Sequence, residues 1–123
     1  MTPILTTSDH LAIKTLLEEA HRASVSKDLD LLMGELNRAQ IVNDDEIDSD
    51  IVRLNSTVEV EDVMAQKVMK FQITLPKDAD FKQQKISVLS PIGIALIGFK
   101  KGMTIEWTLP GGKKTINILE VEN

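Results

Sequence analysis

The residues best suited to chemistry in this chain are carboxylates. Asp28 and Asp30 lie between two helical patterns, in the stretch RASVSKDLD at 22–30, and Asp44, Asp45, Glu46, Asp48 and Asp50 crowd the segment NDDEIDSD at 43–50. Paired carboxylates can hold a divalent cation and position water for hydrolysis. Geometry weighs against the first pair, because helical residues i and i+2 diverge by about 200° and do not face each other. Both stand where a helix would begin, and stabilising the helix dipole is the simpler role. The second group lacks the glycine and terminal glutamate of a calcium loop and reads as a solvated acidic linker. His10 and His21 lie eleven residues apart in a chain with no cysteine. They read as surface helix residues, without the spacing of a metal motif. Gly111-Gly112 lacks the strand–loop–helix context of a phosphate cradle. The sequence therefore assigns no catalytic residue, metal or cofactor.

The elements that would position these residues follow from periodicity. Ile13, Leu16, Leu17 and Ala20 form one apolar stripe, and Leu29, Leu32, Met33, Leu36 and Ala39 form another. Ser8 and Ser26 are the expected N-caps. A connection of a few residues forces the two helices to be antiparallel neighbours, giving a short hairpin with Ser26, Lys27, Asp28 and Asp30 at its tip. After Ile51 the period changes to two. Val58/Val60, Met69 to Leu75, Ile86/Val88 and Met103 to Leu109 read as half-buried strands. The last run, from Thr115 to Val121, shifts phase between Ile118 and Leu119, as a bulge would produce. Pro110-Gly111-Gly112 predicts a hairpin of three to five residues. Ser90-Pro91 at the start and Gly98 at the stop predict one short helix between the third and fourth strands. The fold class expected is α+β: a helical hairpin over 1–42, an acidic linker over 43–50, and an antiparallel β domain with one short helix over 51–123.

Composition narrows the function. The 123 residues are 42% apolar and carry a net charge of −5. Residues 1–62 hold 14 acids and 5 bases, a net of −9, and residues 63–123 hold 5 acids and 9 bases, a net of +4. Overall acidity and the few aromatics, Phe71, Phe81, Phe99 and Trp107, argue against independent sequence-specific nucleic-acid binding. No apolar run reaches membrane-spanning length, and residues 1–7 lack a signal-peptide pattern, so a cytoplasmic protein without a membrane partner is expected.

Residues 86–122 resemble the C-terminal domain of the Gre transcript-cleavage factors. Ser90-Pro91-Ile92-Gly93, Ala95-Leu96-Ile97-Gly98, Gly102, Pro110-Gly111-Gly112 and Ile118-Leu119-Glu120-Val121 match it in order and spacing. The turn Trp107-Thr108-Leu109-Pro110-Gly111-Gly112, the overall length and the short hairpin resemble more closely the regulator of nucleoside diphosphate kinase family, a Gre relative. Glu35-Leu36-Asn37-Arg38-Ala39-Gln40 and Asn55-Ser56 look like that family's hairpin exit and first strand.

The resemblance implies an FK506-binding-protein-like domain gripping the rim of the secondary channel of bacterial RNA polymerase, with a coiled-coil hairpin pointing into the channel. It places the polymerase contact around Ser90, Pro91, Ile92, Gly93 and Ile94. A Gre factor delivers an Asp-x-x-Glu pair at its tip to the polymerase metal; that motif is absent from 22–30. The expectation is a non-catalytic regulator of transcription that competes with Gre-type factors. The alternatives are a short-armed cleavage factor using the tip carboxylates, and a peptide-binding or prolyl-isomerase module suggested by fold analogy alone.

Overall fold

The computed structural model describes residues 2–23, 27–109 and 112–123. The chain runs β1 (Ile4–Thr6), α1 (Thr7–Ala23), α2 (Lys27–Arg38), β2 (Gln40–Val42), β3 (Thr57–Asp62), β4 (Lys67–Thr74), β5 (Lys85–Ser87), α3 (Pro91–Leu96), β6 (Thr104–Leu109) and β7 (Gly112–Glu122). This is the expected α+β content: a helical pair, then a sheet carrying one short helix.

The helical stripes do what their spacing predicts. Ile13 and Leu17 of α1 and Leu29, Leu32 and Leu36 of α2 are buried, with Leu16, Ala20 and Met33 partly buried beside them. The helices pack on each other, and α2 also packs on α3. The start of α1 differs from expectation. Thr6, not Ser8, is the N-cap: its Oγ1 accepts the Asp9 N–H at 3.1 Å. Ser8 falls in the first turn, where its side chain reaches Asp44 instead. Ser26, the expected cap of α2, lies outside the described residues.

The larger sheet has the order β5-β4-β3-β7-β6. The pairs β3–β4, β3–β7 and β6–β7 are antiparallel, but β5 lies parallel to β4, so the antiparallel expectation holds for all but one edge. The reason is the connection at 75–84. Its two 3-10 turns, Pro76–Asp78 and Phe81–Gln83, carry the chain back along β4 before β5 begins. The phase shift in the last strand is a bulge: Glu59 pairs with Glu120 and Val60 with Ile118, leaving Leu119 as the extra residue. The β6–β7 ladder continues to Leu109 and Gly112, which leaves a connection of 110–111 rather than three to five residues; those two lie outside the described residues.

A second sheet was not expected. β1 and β2 pair in parallel, Ile4 with Gln40 and Thr6 with Val42. The Ile4 N–H also donates to Gly98 O at 2.9 Å. The first strand thus joins the hairpin base to the loop after α3. One continuous core results, in which Leu5, Leu17 and Leu32 belong to the same cluster as Val58, Ile73, Leu96 and Ile116.

Candidate functional site

The short helix α3 is built by local rules. Ser90 is extended, and its Oγ accepts the Gly93 N–H at 3.2 Å while donating to Ser87 O at 2.6 Å. Pro91 takes the first helical position, where no N–H is needed. Gly93 is required by packing: a Cβ there would stand 2.5 Å from Ser87 O and 3.0 Å from Val88 Cα, both backbone atoms. Gly98 ends the helix at φ +84°, and a Cβ there would meet Pro3 Cβ at 2.7 Å. The structure divides the five sequence-predicted docking residues. Pro91 is exposed, and Ser90 and Ile92 are half-buried at the surface. Gly93 and Ile94 are buried, and Ile94 joins the core. A partner could touch the first three; the other two hold them in place.

The hairpin tip is described in part. α2 starts at Lys27, so Asp28 and Asp30 both occupy its first turn, where acidic residues suit the helix dipole. Asp30 is exposed, and Leu29 between the two acids is buried. The side chains of Lys27 and Asp28 lie outside the described residues. His10 and His21 both fall on α1, about 16 Å apart along a helix rising 1.5 Å per residue. Among the described residues, no group of three His, Asp or Glu could hold a metal ion.

The acidic segment is exposed but pinned at several points. Lys100 Nζ lies 3.5 Å from Asp48 and 3.9 Å from Asp50. The Asn123 side chain donates to Ser49 O at 2.6 Å and Ile51 O at 3.0 Å, and also bonds the buried Ser56 hydroxyl. That hydroxyl in turn accepts the Arg53 N–H at 2.7 Å.

Sequence reasoning missed the polar cluster where hairpin and sheet meet. Asp9 is buried, and its Oδ2 accepts the Leu54 N–H at 3.2 Å. Arg53 Nε stands 3.5 Å from the same oxygen, an ion pair without a well-formed hydrogen bond. The Arg53 guanidinium also lies 3.9 Å from Asp44, whose carboxylate accepts the Ser8 hydroxyl at 2.5 Å and the Ser8 N–H at 3.3 Å. Burial pushes the Asp9 carboxyl above its ordinary value, against the pull of Leu54 and Arg53. The Ser8 hydrogen bonds hold Asp44 below it. One signal could have flagged this cluster: Arg53 is the sole base between Arg38 and Lys67, in the most acidic part of the chain.

Comparison with known proteins places this arrangement. Residues 47–123 match the family described as Transcription elongation factor, GreA/GreB, C-term. The chain belongs to the GreA/GreB family. Over nearly its whole length it is similar to the Regulator of nucleoside diphosphate kinase of Escherichia coli K12: 34% identity over 122 residues, 98% of this chain and 89% of that protein. It is 38% identical over 91 residues to Transcription elongation factor GreA of Bradyrhizobium diazoefficiens, of which it spans 58%. Among solved structures, the prokaryotic transcription elongation factor GreA/GreB from Nitrosomonas europaea superposes with a TM-score of 0.78 at 34% identity, covering 100% of this chain and 99% of that one. GreA factor homolog 1 of Thermus thermophilus shares the fold at 21% identity and a TM-score of 0.51, with both chains fully covered.

Proposed function

We propose that the chain is a non-catalytic regulator of transcription that binds bacterial RNA polymerase at the secondary-channel rim through an FK506-binding-protein-like C-terminal domain, and competes there with Gre-type factors. The hairpin occupies the channel mouth as a short coiled coil. The observation that carries this reading is the tip: 22–30 holds no Asp-x-x-Glu pair, and its acids at 28 and 30 take helical positions that diverge by about 200°. A tip without that pair lacks the motif by which a Gre factor holds a second metal at the polymerase centre. What remains is occupancy, whose potency follows concentration and affinity. Ser90, Pro91 and Ile92 form the docking face. The contact of α2 with α3 supports this arrangement, since it sets the hairpin beside that face.

The test measures binding to purified core RNA polymerase with a Gre factor as competitor, and RNA cleavage in a backtracked complex. Mutual displacement without cleavage is expected. Ile92→Asp should weaken binding about tenfold, or about 1.4 kcal/mol, if Ile92 anchors the contact. Cleavage that is lost in Asp28→Ala would instead establish the short-armed cleavage factor.

A further inference from the structure

The cluster at the base of the hairpin has a chemistry that plain stability does not require. Asp9 is only 7% exposed, yet it is a carboxylate. Replacing a buried ion pair by a well-packed apolar residue is often neutral or stabilising. A carboxylate differs from such a residue in direction: it accepts hydrogen bonds from particular donors at particular angles. Here the donor and the neighbouring cation both come from the segment just before the sheet, not from the helix that carries Asp9. The Leu54 N–H, 45 residues away in sequence, reaches Asp9 from just before the sheet. Arg53 stands between Asp9 and Asp44, and Asp44 grips the first turn of α1 through Ser8. Ser56 and Asn123 anchor the Arg53 backbone to the acidic segment.

From this geometry we propose that the Asp9–Arg53–Asp44 cluster is a lock that sets the bearing of the helical hairpin on the sheet, with Asp9 as the positioning residue. Leverage gives the lock its effect. An α1 of 17 residues is about 25 Å long, so a tilt of about 10° at its base moves the tip by about 4 Å. A hairpin that fills a channel mouth must arrive on a fixed heading. The inference therefore deepens the occupancy reading and rests on it for its biological meaning.

The lock can be read on the isolated protein, independently of polymerase. The chain has no cysteine, so Arg22→Cys and Glu106→Cys give two unique spin-label sites, both at exposed positions. In this background a single narrow distance distribution is expected. Asp9→Leu removes the acceptor but keeps the volume filled; its distribution should at least double in width while far-ultraviolet circular dichroism stays unchanged. Asp9→Asn retains an oxygen for the Leu54 N–H and should restore most of the narrowness. A merely structural Asp9 would lower the thermal midpoint and leave the distribution as narrow as before. A folded Asp9→Leu with an unaltered distribution overturns the proposal, as does an Asn variant as broad as the Leu variant. If Asp9→Leu does not fold, Arg53→Gln decides: a broadened distribution supports the lock and an unchanged one overturns it. Polymerase binding measured separately shows whether the occupancy reading, rather than the lock, has failed.

Discussion

The hairpin and the C-terminal sheet are held together by different means. In the sheet, β3 is paired on both sides and β7 lies between β3 and β6, so each central strand is fixed by backbone hydrogen bonds to two neighbours. The hairpin has one stripe of buried aliphatic residues on each helix and a few polar contacts at its base. Two helices of this length are marginal alone, because helix nucleation is costly and most helical stability comes from packing. The region that carries the family match, 47–123, coincides with the self-bracing sheet. The difference teaches that backbone pairing holds the sheet strand by strand, whereas the hairpin depends on side-chain packing against the shared core and on polar contacts at its base.

The largest test of that contrast compares core truncations in the two regions. Leu17→Ala in α1 and Ile116→Ala in β7, both essentially inaccessible, should each cost about 2–5 kcal/mol. Denaturant unfolding monitored by two probes should stay a single transition in both, because one core spans both regions. Two separated transitions in Leu17→Ala would show that the hairpin melts on its own.

Glycines sharpen the comparison at the next scale. Gly93→Ala forces a methyl onto the 87–88 backbone and should cost about 1–3 kcal/mol. Gly34 lies within α2 and is exposed, and a methyl group there would meet no atom within 4 Å. Gly34→Ala should therefore raise stability by about 0.5–1 kcal/mol. Equilibrium denaturation of the two variants should move in opposite directions.

Acid produces the smallest effects, and their signs differ. Asp62, in the sheet, is held below its ordinary 3.8 by the Ala65 N–H and Lys114. Asp44 is lowered by Ser8. Both bind protons more weakly when folded, so their contribution is present above the unfolded value and is lost as pH falls through the folded one. Asp9 is raised by burial. Its contribution is present below the unfolded value and is lost as pH rises through the folded one. Stability measured from about pH 3 to 6 should fall more gently toward acid in Asp62→Asn than in the parent chain, and more steeply in Asp9→Asn. Parallel curves for the two variants would contradict the opposite signs.

Much of the architecture was legible because its signals are local. The leucine stripes, the Ser90 cap, the Gly98 stop and the phase shift that marks the bulge at Leu119 each show in residues within a turn or two of one another. The motifs between Ile86 and Glu122 that carried the family resemblance are likewise short, local runs. Tertiary structure decided what depends on residues far apart in sequence. Three-residue strands such as β1 and β2 show no period and exist only because they meet across the hairpin base. The parallel edge β5 depends on how the 75–84 connection folds back. Asp9 has its partners only because the fold brings Leu54 and Arg53 to it. Periodicity reports which face of an element is buried; it carries no information about which distant polar group waits on the other side.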